Sequence, residues 1–381
     1  MKSGEIGPRR RNPFLWRGQF PPELVEVLLD SYARRGDVVL DPFVGSGTTL
    51  LESARRGLPC LGADINPAAL ELAGTYLFCN LDASARIARA KAAWSSVEKA
   101  LGKENLSDPA YLGEGIDGRR RAQLRKLLRE TLHDPLAHGM VVNSLLRLSL
   151  LLGPDTIGKF VKAFETHRQI VMGLPYSKGE CRILDADARF LPLPNGCASL
   201  VLTSPPYLNV FEYSSNYGRY AGLLGWDKEA FARREIGSAG RNKQNHFVSV
   251  IQYVLDMYLA LREIRRTLKS DGRAILVVGR TSDVNGIAFE TSAIIYALAT
   301  GNGDFAISLR QERKFKTHDG KEVVEDVLHL LPGVDAGEDE DFARSVAKFV
   351  LKEALGRAKG KAKGEIAEAI SLARKVAPSP A

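Results

Sequence analysis

Ser204-Pro205-Pro206-Tyr207 follows, after Thr203, on an apolar run, Ala198–Leu202. Two adjacent prolines cannot extend a central strand, because neither has the N–H that a sheet ladder needs. The tetrapeptide therefore reads as a rigid corner that sets a hydroxyl and an aromatic ring at a strand end, and such a corner points to binding. The plain alternative is a turn that only ends a strand. A second stretch, DVVLDPFVGSGTTLLESARRG at residues 37–57, runs from a strand ending at Asp41 into Gly45-Ser46-Gly47 and then a helix starting near Thr48. Glycines there let the backbone approach a ligand, and free N–H groups at a helix start favour an electronegative one. Asp64, in "GADIN", lies about 20 residues beyond the turn, where an acidic side chain suits the two hydroxyls of a ribose. Asp41, Pro42, Phe43, Gly45, Gly47 and Asp64 together imply a nucleoside-type cofactor rather than a bare strand-to-helix turn. The stretch lacks the G-x-x-x-x-G-K-[ST] phosphate loop, which argues against ATP or GTP, and the third glycine of the dinucleotide fingerprint.

These residues need a parallel sheet to hold them. Pro21-Pro22-Glu23 opens an apolar-periodic helix, and Val38–Leu40 and Cys60–Ala63 read as buried strands flanking the helix at Thr48, a β-α-β unit. Strand signals resume at Cys181–Leu184, Ser199–Leu202 and Arg273–Val278. An amphipathic helix is expected over 251–268, with Ser270-Asp271-Gly272 as the turn that follows it. Residues 81–178 are helical in pattern and interrupt this rhythm. From about 335 an acidic segment leads into an Ala/Lys-rich helical tail. Hydrophobic residues make up 45% of the 381, ample for a core. No apolar run nears the ~20 residues that span a bilayer, and no signal-peptide core follows the basic N-terminal cluster, so a cytoplasmic protein without membrane contact is expected. Four scattered cysteines form no C-x-x-C pair, so neither a metal site nor a disulfide framework is expected. Cys60, after Pro59, begins the second strand and reads as a buried structural cysteine.

The two motifs together resemble the amino-methyltransferases, which methylate exocyclic amines of DNA bases with S-adenosylmethionine. "DPFVGSGTT" is similar to the family's cofactor motif and "TSPPY" to its catalytic (D/N/S)-P-P-(Y/F/W) motif. "NPFLWRGQFPPELVEVLL" resembles the segment that closes over the methionine end, and "DADARFLPLPNGCASLVLTSPPYLNV" the run into the catalytic strand. The resemblance covers roughly 12–80 and 181–285. It implies a Rossmann-like class I methyltransferase fold with a mostly parallel sheet flanked by helices. The catalytic domain would be discontinuous, 1–80 and 179–334, with a helical insertion at 81–178 that is a candidate for DNA recognition and a helical tail at 335–381. It implies that Asp41, Pro42 and the backbone of Phe43, Gly45, Ser46 and Gly47 hold the methionine portion, with Thr48 and Thr49 at the helix start and Phe20 close by. Asp64 would take the ribose, Ile65 and Asn66 the adenine flanks, and Asp187 with Ala188 the adenine amine; Asp185 is the competing choice.

An exocyclic amine is a poor nucleophile, because its lone pair is conjugated with the ring. Transfer from a sulfonium is an in-line displacement, so the amine must be held opposite the sulfur and drawn out of conjugation. Ser204 Oγ and the Pro205 carbonyl are the candidate acceptors, Pro205 and Pro206 the rigid spacers, and Tyr207 the face on which an extruded base stacks. The resemblance implies that serine at the first position leans towards N4 of cytosine. The rivals are N6 of adenine, guanine N2 in RNA, a glutamine amide in a protein, and a non-catalytic DNA-binding relative. A net charge of +8 and a sequence pI near 9.2 favour a polyanionic partner, double-stranded DNA on this reading, and leave room for a companion restriction endonuclease. Residues 81–178 carry 16 basic against 10 acidic side chains. In "RRRAQLRKLLR" a helix sets Arg121, Arg125 and Arg129 in one outer row, with Arg119 at its start and Leu124, Leu127 and Leu128 facing inward. Arg233, Arg234, Arg241 and Lys243 form a second basic segment after the catalytic motif. Both are DNA-backbone candidates, and both also read as ordinary solvated faces. Tyr213 and Tyr217 either line a base pocket or pack.

Overall fold

A computed structural model describes residues 12–14, 16, 18–209, 218–237, 244–316, 320, 322–334 and 337–380 of the chain. Seven strands form the main sheet: β1 (Val39–Asp41), β2 (Cys60–Asp64), β3 (Cys181–Asp185), β4 (Ala198–Thr203), β5 (Leu268–Gly279), β8 (Phe305–Lys316) and β9 (Glu322–Pro332). The short pair β6 (Ser282–Val284) and β7 (Ile287–Phe289) forms a separate hairpin. The order is β3-β2-β1-β4-β5-β9-β8, with β1 to β5 parallel and β9 antiparallel to both its neighbours. This is the expected Rossmann-like class I methyltransferase fold. Order reverses between β1 and β4, and in open α/β sheets ligands bind outside the carboxyl ends at such a reversal.

Both faces are covered, as a parallel core requires. Alternate strand residues point to opposite sides. Val39, Cys60, Leu200 and Leu202 join the core beneath α1 (Pro22–Tyr32), α2 (Thr48–Arg55) and α3 (Pro67–Gly74). Leu40, Ala63, Val201 and Leu276 join the opposite core. The segment 81–178 supplies α4 (Ala83–Leu101), α5 (Pro109–Gly113), α6 (Gly118–Thr131), α7 (Pro135–Ser149) and α8 (Ile157–Met172). These helices share the first core with the sheet rather than enclosing one of their own. After β4 come two short helices, α9 (Ala221–Leu224) and α10 (Lys228–Arg234), and then α11 (Val248–Thr267) and α12 (Thr291–Thr300). The tail forms α13 (Glu340–Arg357) and α14 (Gly360–Leu372), whose Ala343, Ala347, Leu351, Ile366 and Ala369 are buried in the second core. It is therefore part of a helical layer.

One local expectation is corrected. Ser270-Asp271-Gly272 is no turn but lies inside β5, which starts at Leu268. The register shifts there, Ala198 facing Leu268 and Leu200 facing Arg273. Gly272 permits the close pass, since a Cβ on it would stand 3.0 Å from the Ser199 carbonyl oxygen. Among the described residues no helix is long and apolar enough to cross a membrane.

Candidate active site

The glycine turn leaves β1 at Asp41 and reaches α2 at Thr48. Gly47 caps that helix in the left-handed region, φ +84°, and Gly45 has φ +50°. A side chain would be strained at both and would collide at Gly47, where a Cβ would come 2.6 Å from the Tyr76 ring. The Asp64 carboxylate braces the turn from β2: it accepts from the Gly45 N–H at 3.0 Å and the Asn66 N–H at 2.8 Å. Asn66 in turn caps α3 by accepting from the Ala68 N–H. Asp41 accepts from the Phe43 N–H and, at 2.6 Å, from the Thr203 hydroxyl at the end of β4. That last bond joins the turn to the strand that ends in Ser204. Burial pushes the carboxyls of Asp41 and Asp64 up to about 6 each.

At the corner the Ser204 hydroxyl donates to the Val277 carbonyl oxygen of β5 at 3.0 Å. Its single proton is thus committed, and its lone pairs remain to accept. The Tyr207 hydroxyl donates to Glu325 of β9 at 3.1 Å, and Arg313 of β8 holds the other oxygen of that carboxylate. The Tyr207 ring lies against Gly279, where a Cβ would stand 2.9 Å from the ring. The Tyr253 hydroxyl of α11 donates to the Pro206 carbonyl oxygen at 3.1 Å. The corner is therefore bonded to the sheet, to its antiparallel edge and to a helix.

Turn and corner line one cleft of about 830 Å³, its mouth included. Of the sequence-predicted residues, Phe20, Asp41, Pro42, Phe43, Gly45, Ser46, Thr48, Thr49, Asp64, Ile65, Asn66, Asp187, Ala188, Ser204 and Pro206 form its wall; Gly47, Pro205 and Tyr207 stand behind or beside it. Asp187 is buried in the wall, whereas Asp185 is exposed and outside it. Sequence reasoning missed two parts of the wall. Trp16 and Gln19 come from the segment before α1, with Gln19 receiving the Ser46 hydroxyl at 3.3 Å. Phe231, Glu235 and Ile236 come from α10 and the turn after it. The first group lay within a stretch already marked as a cofactor flank; the second carried no motif.

The basic candidates divide. Arg119, Arg121, Arg125 and Arg129 are exposed on α6 while Leu124, Leu127 and Leu128 are buried; Arg120 is instead buried against Glu114 and the Tyr111 ring. Arg233 is exposed and Arg234 half-buried at the end of α10. Arg241, Lys243, Tyr213 and Tyr217 lie outside the described residues. Cys60 is buried with its Sγ 3.2 Å from that of Cys181, both thiols free.

A family model described as DNA methylase matches residues 4–74. Over 52 residues, 14% of this chain and 10% of the other, the sequence is 44% identical to the Type II methyltransferase M.MjaII of Methanocaldococcus jannaschii. It is also 38% identical over 60 residues, 16% of this chain and 18% of the other, to the tRNA (guanine(10)-N2)-dimethyltransferase of Methanothermobacter thermautotrophicus. The matches thus span a tenth to a fifth of those relatives' lengths. Among solved structures, an S-adenosylmethionine-dependent methyltransferase from Methanosarcina mazei aligns over 80% of this chain and 95% of its own, at 12% identity and a TM-score of 0.37. Residues 4–74, which include the glycine turn and Asp64 of the cleft, thus match the N6/N4 DNA-methylase model, and the chain resembles that family.

Proposed function

We propose that this chain is an S-adenosylmethionine-dependent methyltransferase acting on the N4 amine of a cytosine turned out of double-stranded DNA. One observation carries the reading: the glycine turn and the Ser-Pro-Pro corner line the same cleft, joined behind it by the Thr203–Asp41 hydrogen bond. The cleft fits the cofactor by its donor set. A buried carboxyl (Asp41) and a half-buried one (Asp64), both raised in pKa, gain from the hydroxyls and cationic groups of such a molecule, and each keeps lone pairs beyond its backbone bonds. When bound, the cofactor supplies an electrophilic methyl on a sulfonium. Asp41 and the turn then hold its methionine portion, Asp64 the ribose, and Asp187 the adenine edge.

Ser204 does the work on the base. With its proton held by Val277, its oxygen accepts from the target amine, and the Pro205 carbonyl is the second acceptor. Two such bonds turn the amine's lone pair out of the ring and towards the methyl. Tyr207 stacks on the extruded base, its ring held by the Glu325 contact and by the room at Gly279. Arg119, Arg121, Arg125 and Arg129 of α6, with Arg233 and Arg234, neutralise DNA phosphates.

The test is incubation with methyl-labelled S-adenosylmethionine and, in parallel, duplex DNA, bulk RNA or a protein extract, followed by digestion to nucleosides or amino acids and mass spectrometry. Label in N4-methylcytosine is the expected result. Label in N6-methyladenine moves the target to adenine within the same chemistry, and label confined to RNA or protein overturns the DNA assignment.

A further inference from the structure

Behind the cleft wall, Asp187 is held by a guanidinium that reaches through the molecule to residues 379 and 380. Arg189 is fully buried, and all five of its N–H donors are used. Its Nε and Nη2 grip the two oxygens of Asp187 at 2.9 and 2.6 Å. The remaining donors go to Asp256 of α11 at 2.7 Å, to the Ser379 carbonyl oxygen at 2.6 Å and to the Pro380 carbonyl oxygen at 2.8 Å. Asp256 is equally buried, and Ser379 satisfies it twice more, from its N–H at 2.8 Å and its hydroxyl at 2.5 Å.

From this we infer that residues 378–380 are a strap that positions Asp187 for the cofactor, acting through Arg189 and Asp256. The identity of the ligand rests on the methyltransferase reading, but the geometry of the strap is independent of which base is methylated. Two carbonyls of the strap are the only described acceptors for two guanidinium hydrogens, and the strap supplies two of the donors to Asp256. Without it, a buried cation and a buried anion each lose hydrogen bonds where water does not reach. The guanidinium then shifts towards new acceptors, and the carboxylate it grips shifts with it. Since Asp187 forms part of the cleft wall and Ser379 does not, the strap acts by placement alone.

The experiment is calorimetric titration of S-adenosylhomocysteine into the full chain, into Ser379→Ala and Asp256→Asn, and into a chain stopped after Lys375, each well below its melting temperature. Ser379→Thr, which keeps the hydroxyl, is the rescue variant. The expected result is a dissociation constant raised about tenfold in Ser379→Ala and in Asp256→Asn and more in the shortened chain, with Ser379→Thr near the full chain. Duplex-DNA affinity, measured in parallel, stays within twofold. If the full chain binds S-adenosylhomocysteine and both altered serine and shortened chains bind it equally well, the strap has no positioning role. A loss of melting temperature with unchanged affinity overturns that role too, leaving the strap a support of the fold alone. If the full chain itself binds none, the methyltransferase reading fails instead. Should the shortened chain not fold, the two point variants decide.

Discussion

Ser204 shows how a single bond partner bears on a proposed role. The resemblance gave it the role of acceptor, and the Val277 carbonyl explains how a group able to donate is kept from donating. Ser204→Ala should therefore lower the methylation rate at least about hundredfold, as loss of one well-placed polar group does in a reacting site. Its melting temperature should fall by only a few degrees, because the hydrogen bond lost is worth about 1 kcal/mol. Steady-state methyl transfer and thermal melting together check this. The acid pair behaves differently. With carboxyls near pH 6 against 3.8 unperturbed, Asp41 and Asp64 take up protons in the free folded protein as pH falls. A ligand that donates to them favours the ionised forms, so cofactor binding releases protons. Affinity should rise from pH 5 to 7 and level above that, in calorimetric titrations across the range. For folding the sign is opposite: the native state binds more protons than the unfolded chain between about pH 4 and 6, so these two groups add stability as pH falls through that window.

At the scale of elements, the turn was legible and much of its surroundings was not. Glycine spacing names a strand-to-helix turn because backbone geometry is local, and both glycines indeed have positive φ. Gly47→Ala should cost about 1–3 kcal/mol from the left-handed backbone alone, with the Tyr76 contact adding to it, and should weaken cofactor binding; chemical unfolding and titration would measure both. The double-proline corner was legible for the same local reason. What props it was not: Glu325 and Arg313 lie more than a hundred residues further on, in β9 and β8, with nothing in the sequence to link them to the corner. β8 is charged and exposed along most of its length, so hydrophobic alternation does not reveal it. The α10 wall is equally hidden, since Phe231 and Ile236 read as ordinary apolar residues of a short helix and its exit turn. Ser270–Gly272 misled in the other direction, because a glycine that serves a bulge has the same composition as one that serves a turn.

For the molecule as a whole, composition located the positive charge and topology decided what it adjoins. The basic helix α6 packs on α9, which lies on the chain that leaves the double-proline corner. That places the arginines of α6 on a helix packed against one that follows the corner in sequence. Arg121→Glu with Arg125→Glu should weaken duplex-DNA binding and reduce the slope of log affinity against log salt by about two, with cofactor affinity unchanged. Fluorescence anisotropy at several salt concentrations would measure it; an unchanged slope would make α6 a solvated face only. Domain boundaries were the least legible feature at this scale. Composition set the insertion and the tail apart, but packing draws the helices of 81–178 into the first core and α13 and α14 into the second.

The sheet also has an open margin. β8 is its last strand, twelve residues long, and among the described residues its outer hydrogen-bonding groups face no neighbour within the sheet. A margin of that length invites another chain to zip on. Arg310, Glu312, Lys314 and Lys316 follow one another at every second position, so a stranger laid alongside meets a row of ionic heads instead of a greasy ribbon. Those same side chains keep the strand that props Tyr207 from becoming a seed for clumping.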